Sequence, residues 1–286
     1  MHTPQLPRQK QLTCMIGNPV AENPIDRMFD AVFAHYGLNW QFWKSEVRTE
    51  DEVGAAIGGI RALGFSGACI TVPYKVASIP FLDEIDKDVE AIGAANYMTI
   101  QNGKLIGHNN DGKGVVSAIQ KITPIRDKRV VMLGAGGAGR AMAVELAWAG
   151  AAHLTLFTRR ESQGSEVAHR VTKASGVPCD VICWNGEVQV PSGTNILMNA
   201  THLGCAPDLE TVPVNWDTVS PVTTVVDVIT NPRITPFLEM AKRRGCPIVD
   251  GVEMLVQLAM QIFEKWTGVR PQEAVFQRAV AEALGE

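Results

Sequence analysis

The chain has no excess of positive charge: Lys plus Arg total 26 against 30 Asp plus Glu, a net charge of −4. Without a cationic field to draw phosphate backbones or anionic lipid, neither nucleic acid nor a membrane surface is expected as a partner. No stretch approaches the roughly 18 uninterrupted apolar residues of a membrane span, and the first eleven residues, MHTPQLPRQKQ, lack the apolar core of a signal peptide, so a cytoplasmic protein is expected. Six cysteines, at 14, 69, 179, 183, 205 and 246, form no disulfide framework or zinc-ligand spacing. No metal is expected, and the thiols read as small buried hydrophobes. Repeats and low-complexity tracts are also missing, which excludes a solenoid. What the chain has is 46% apolar and 20% charged residues, enough to form a core, spread over 286 positions, where one core tends to split into two.

Apolar runs of strand length alternate with helical segments, the pattern of βα units and an α/β fold. LTCMIG (12–17) reads as a strand, and Asn23-Pro24 opens an amphipathic helix that closes at Gly37. GACITVP (67–73) reads as a strand delivering Tyr74 and Lys75 into a turn, and a helix opens near Asp111. After the polar connection 123–128 the order is strand RVVML (129–133), Gly-rich turn, helix (138–149) and strand LTLFT (154–158). A helix and strands at VICW (181–184), NILMNAT (195–201) and TTVVDVI (223–229) follow, giving a doubly wound, Rossmann-type dinucleotide-binding domain over 124–250.

Gly134-Ala135-Gly136-Gly137-Ala138-Gly139 fits G-x-G-x-x-G in the required context, after an apolar strand and before an Ala-rich helix. Gly136 would let the backbone approach a pyrophosphate, and the helix N-terminus would offer it free N–H groups. The next strand ends in Thr158-Arg159-Arg160, without the acidic residue that accepts the ribose hydroxyls of NAD. Two guanidinium groups suit a 2′-phosphate, so NADP is the expected cofactor, with NAD the alternative. A dehydrogenase needs a general acid/base at the substrate oxygen, and Lys75 and Asp111 are candidates outside the nucleotide domain.

Seven segments in order carry a resemblance over nearly the whole chain: ITVPYK (70–75), GAAN (93–96), GKLIGHNND (103–111), GAGGAGRA (134–141), NATHLG (199–204), DVITNPRITPFL (227–238) and DGVEMLVQLA (250–259). The chain resembles the shikimate/quinate dehydrogenase family, within it the shikimate dehydrogenase-like branch. The resemblance implies an N-terminal α/β substrate domain (1–123) completed by C-terminal helices (251–286), beside the Rossmann domain. It also implies a cytoplasmic oxidoreductase of aromatic amino acid biosynthesis or quinate metabolism, transferring hydride between NADP(H) and a small cyclic hydroxy acid or polyol. Lys75 matches the catalytic lysine and Asp111 its partner. Thr71, Asn96 and Asn109 match groups that hold substrate hydroxyls, while Asn199, Thr201, Val228 and Gly251 match positions lining the nicotinamide or its ribose. The expected partner is a small molecule, and a homodimer is one open assembly state.

The chain departs from that pattern where the family runs from its first strand into G-N-P-I-x-H-S-x-S-P, whose two serines hold the substrate carboxylate. Here the segment is Gly17-Asn18-Pro19-Val20-Ala21-Glu22-Asn23-Pro24, two residues shorter and without either serine. Asn23 and the helix N-terminus are left to meet the substrate, and an ionised Glu22 would repel a carboxylate. Cys69, Thr230 and Leu258 replace a usual Asn, Tyr and Gln, and Gln257 sits one position off, about 100° around a helix. These changes weigh against efficient turnover of shikimate and leave a cofactor-binding sensor without turnover as the alternative function.

Overall fold

A computed structural model describes residues 9–285. The chain forms two compact units, Met1–Ile85 with Ala95–His108 and Ile262–Glu286, and Asp86–Ala94 with Asn109–Gln261. The expected α/β class is the observed one. The leading segment that argued against a signal peptide lies, as far as residue 8, outside the described residues.

In chain order the first unit begins with β1 (Gln11–Gly17), α1 (Ile25–His35), β2 (Trp40–Glu46), α2 (Val53–Ala62), β3 (Gly67–Ile70) and β4 (Glu84–Ile85). Helix α3 (Lys87–Ile92) belongs to the second unit, and β5 (Tyr97–Gln101) and β6 (Lys104–His108) return to the first. These strands form one mixed sheet, β2-β1-β3-β5-β6-β4, parallel at β2-β1-β3 and antiparallel at β3-β5-β6. Helix α1 buries Ile25, Met28, Phe29, Val32 and Phe33, spaced on one helical face. Phe29 stacks on Phe42 with centroids 5.0 Å apart, and the end of the chain completes this aromatic core. Phe263 lies against Phe33, and Trp266 and Phe276 lie against Phe29. Trp266 donates to the Met98 carbonyl at 3.1 Å and occupies the room left by Gly67, where a β-carbon would fall 2.2 Å from the indole nitrogen.

The second unit continues with α4 (Asp111–Gln120), β7 (Arg129–Leu133), α5 (Gly137–Trp148), β8 (His153–Thr158), α6 (Glu161–Ser175) and β9 (Cys179–Cys183). It goes on through β10 (Ile196–Asn199), β11 (Thr224–Asp227), α7 (Pro236–Arg243), β12 (Ile248–Val249) and α8 (Gly251–Thr267), whose last turns belong to the first unit, as does α9 (Glu273–Leu284). Its sheet is wholly parallel in the order β12-β11-β10-β7-β8-β9. Strands β10 and β11 are buried at every position, the near-continuous apolar reading of a sheet covered on both faces.

Several local expectations shift. Strand β3 ends at Ile70, β10 at Asn199 and β11 at Asp227, each short of its apolar run, because the following residues turn into loops. Pro24 stands just outside α1, and the Asn23 side chain accepts from the Ile25 N–H at 3.1 Å. The β5–β6 hairpin turns on Asn102 and Gly103, both at positive φ, which is the Asn-Gly arrangement a tight hairpin favours. Trp148 is a surface residue, 40% exposed, tied by its indole N–H to the Ala174 carbonyl. Cys14, Cys69 and Cys246 are buried as expected, but Cys183 is exposed because β9 is an edge strand. Among the described residues no helix is long and apolar enough to cross a membrane, and no group of three or more His, Cys, Asp or Glu side chains could hold a metal ion.

Candidate active site

In the first unit the candidate residues gather at the C-terminal ends of β1 and β3, the edge at which open α/β sheets bind ligands. Lys75 is buried, 8% exposed, in the turn that follows β3. That turn is fixed from several directions. The Tyr74 hydroxyl donates to the Val47 carbonyl at 2.6 Å, the Ala95 N–H donates to the Lys75 carbonyl at 2.7 Å, and the Ser78 N–H donates to the Tyr74 carbonyl. Asn96 is also buried, its carbonyl accepting from the Ile70 N–H and its N–H donating to the His108 carbonyl, which sets it beside the end of β3. Thr71 follows β3 directly and bonds through its N–H to the Ile16 carbonyl. A β-carbon at Gly17 would lie 2.2 Å from the Thr71 methyl, so the loop after β1 runs hard against the segment that leads to Lys75.

That loop satisfies its own polar groups. The Lys44 ammonium on β2 donates to the Ala21 and Asn23 carbonyls, at 2.9 and 2.8 Å, and pairs with Asp26 at 3.1 Å. The Glu46 carboxylate accepts from the Val20 N–H, and the Asn23 carbonyl oxygen of the side chain caps Ile25. Glu22 is exposed. The Lys44 ammonium is therefore committed to the loop, while the exposed Glu22 gives the loop a negative outer charge.

In the second unit Asn109 and Asp111 flank the start of α4. Both are buried, Asp111 at 3% exposure. The Asn109 amide donates to the Ala94 carbonyl at 2.8 Å, and its oxygen accepts from the Asp111 N–H at 3.1 Å. Asn110 anchors the same turn to α8 through the Leu258 carbonyl. The Gly-rich turn lies at the end of β7. Gly134 has φ +101°, and a β-carbon on Gly139 would meet the Gly134 carbonyl at 2.8 Å, so both must lack side chains. Gly136, by contrast, faces open space, and no side chain caps the first turn of α5, which begins at Gly137-Ala138. Uncapped N–H groups beside open space fit a pyrophosphate. Beyond β8, Thr158 is buried and bonds around Arg160, leaving the Arg159 and Arg160 side chains exposed. No acidic residue stands at that strand end, and the dinucleotide expected from the sequence fits this set.

The residues expected beside the cofactor, Asn199, Thr201, Val228 and Gly251, cluster around Asp227, to which the motif 227–238 assigned no role. Asn199 is fully buried, donating to the Leu203 carbonyl and to Asp227, while its oxygen accepts from the Thr201 N–H and hydroxyl. Its amide therefore shapes the loop after β10, and the surface offered to a ligand there is that of Thr201 and the backbone. Asp227 accepts from Thr235 at 2.6 Å and from the Ile229 N–H, and burial pushes its carboxyl up to about 6. It fixes the loop holding Val228. Gly251 packs under the same loop, where a β-carbon would fall 2.2 Å from the Ile229 carbonyl. An aspartate inside the apolar run TTVVDVI was the available signal. His108 is a buried residue at the end of β6, stacked on Tyr97 and paired with Thr99.

A family model described as the shikimate dehydrogenase substrate binding domain matches residues 15–98. The NADP-dependent shikimate dehydrogenase of Moorella thermoacetica is 37% identical over 96% of this chain and 94% of its own. The chain belongs to the shikimate dehydrogenase family. Members are NAD(P)-dependent oxidoreductases acting on alcohol groups, and this chain is an oxidoreductase of that class. Among solved structures, ligand-free 5-ketofructose reductase of Gluconobacter sp. strain CHM43 is similar at 37% identity and a TM-score of 0.89, over 96% of this chain and 99% of that one. A shikimate dehydrogenase in complex with NADP+ is similar at 32% identity and a TM-score of 0.88, over 96% and 95%.

Proposed function

We propose that this shikimate dehydrogenase family member catalyses reversible, NADP-dependent interconversion of a secondary alcohol and a ketone on a small polyhydroxylated substrate. Residues 1–123 and 251–286 serve the substrate and 124–250 the cofactor. The observation that carries this reading is the burial of Lys75 and Asp111, charged side chains that folding alone gives no reason to bury. NADPH, when bound, supplies the hydride. Lys75 gives a proton to the substrate oxygen as the ketone is reduced and takes it back in oxidation, and Asp111 is the second residue of the catalytic pair. Asn96, Asn109 and Thr71 hold neighbouring hydroxyls. The Gly134–Gly139 turn receives the pyrophosphate, and Arg159 and Arg160 the 2′-phosphate.

The end of the substrate that faces residues 18–24 is uncharged in this reading. Glu22 lies there, Lys44 is committed to the loop, and the Asn23 oxygen is committed to α1, which leaves the Asn23 amide N–H groups to meet a hydroxyl or carbonyl oxygen. The likeness to a reductase named for 5-ketofructose, a compound without a carboxylate, favours the same end chemistry. The test is a panel of shikimate, quinate, 5-ketofructose and neutral polyols with NADP(H) and NAD(H). Specificity constants above about 10⁴ M⁻¹s⁻¹ are expected on a neutral substrate. If the acids reach that value and the neutral compounds do not, the uncharged-end reading fails. If nothing turns over while NADPH binds, the chain is a cofactor-binding sensor. Lys75→Ala should cut turnover about 10²–10⁴-fold with NADPH affinity unchanged, and retained turnover would remove Lys75 from the chemistry.

A further inference from the structure

Behind the start of α4 lies a set of ionisable side chains that the reaction does not use. Lys113, two residues after Asp111, forms a short ion pair with Asp88 on α3, which is 7% exposed, and lies 3.9 Å from Glu145 on α5, which is 8% exposed. One oxygen of Glu145 is fully enclosed without a hydrogen-bond partner. Between Asp111 and Lys113, Gly112 presses on α5 so closely that a β-carbon would fall 2.4 Å from the Ala141 carbonyl and 2.5 Å from the Glu145 side chain. The first turn of α4 thus rests on α5 with no slack, and one ammonium stands between two carboxylates on different helices.

We propose that Glu145 is a positioning residue for the reaction: its ionised form draws Lys113 toward α5 and seats the first turn of α4, and with it Asn109 and Asp111, in the productive place. Neutral Glu145 leaves Lys113 to Asp88 alone and lets that turn relax. This inference rests on the role given to Asp111 above. Burial, first, pushes the Glu145 carboxyl up to about 7, with Asp88 and Asp86 adding to the rise and Lys113 opposing it, so both forms are populated near neutrality. These are the charged groups that face it from α3 and α4. On α5 itself Arg140 is paired with Glu166. Removing one partner from a buried set of this kind leaves the others uncompensated, which gives the cluster leverage over the helix it touches.

The experiment is the pH profile of kcat between pH 5 and 9, with NADPH affinity and thermal stability measured alongside, for wild type, Glu145→Gln, Lys113→Met, Lys113→Arg and Asp111→Asn. The wild type should show turnover rising through an inflection near pH 7. Glu145→Gln and Lys113→Met should both lose that inflection and keep the low-pH turnover throughout, and Lys113→Arg should retain it, all with NADPH affinity unchanged. An inflection that persists in either Glu145→Gln or Lys113→Met overturns the inference. If Glu145→Gln does not fold, the loss of the inflection in Lys113→Met against its retention in Lys113→Arg decides alone. Full turnover in Asp111→Asn would instead refute the role of Asp111, a failure that the Glu145 profile does not mimic.

Discussion

Two loops in this molecule occupy the same place in their sheets, each leaving the C-terminal end of a parallel strand and opening a helix, and they solve opposite problems. The loop after β7 keeps its helix uncapped and leaves space in front of Gly136. The loop after β1 closes on itself, its carbonyls taken by Lys44, one N–H by Glu46 and its helix entry by Asn23. An open loop with unpaired N–H groups is built for an anion that arrives later. A self-satisfied one with an exposed Glu22 suits, under the function proposed above, a ligand that brings no charge. Fold similarity alone would not separate the two, since the distinction lies in where each backbone polar group finds its partner.

The largest expected effect comes from closing the open loop. Gly139→Val drives a side chain into the Gly134 carbonyl and should weaken NADPH binding by about 3 kcal/mol, roughly a hundredfold, by fluorescence titration. Second comes a pH effect from two carboxylates in the unit that carries the open loop. Glu145 rises from its ordinary 4.5 to about 7 and Asp227 from 3.8 to about 6, so in the folded protein both hold protons more tightly than in the unfolded chain. Their stabilisation is complete below pH 4 or so and is lost as pH climbs through 6 and 7. Urea denaturation should show Glu145→Gln gaining on wild type by about 2–3 kcal/mol between pH 5 and pH 8. No such gain would mean that Glu145 is not desolvated.

Opening the closed loop should do less. Lys44→Met leaves the Ala21 and Asn23 carbonyls without their donor and is expected to cost about 1–2 kcal/mol of stability, with KM for substrate raised more than kcat is lowered. An unchanged KM would detach this loop from the substrate. The smallest effect belongs to the exposed arginines after β8. Arg159→Ala with Arg160→Ala should weaken NADPH binding by about 1 kcal/mol, several-fold, and leave NADH untouched. Equal losses for both cofactors would make the arginines general attractors of charge.

Most of the second unit was legible because a buried parallel strand is a nearly continuous apolar run and a Gly-rich turn has a fixed spacing. Strand ends were not, since Thr71, Thr201 and Val228 continue the β-branched pattern while their backbones already turn. Lys75 and Asp111 stood out through ordered motifs, and their burial could not be read from them. Lys44, Lys113, Glu145 and Asp227 escaped for another reason: each acts on a residue distant in sequence, and a lone charged residue in a helix or strand is ordinarily a solvated face. Asp227 alone broke a pattern visibly, by interrupting an apolar strand.

Trp266 and Phe276 close the aromatic core of the first unit from beyond the whole of the second. During synthesis the residues through Gln261 emerge while the core around Phe29 and Gly67 still lacks that cover. The second unit can therefore reach its final form first, as domains generally fold as units in the order they appear. The first unit waits for the last stretch of chain, so ribosome-bound nascent chains from which Gln261 but not Phe263 has emerged should gain NADPH-binding capacity before β1–β3 resist proteolysis.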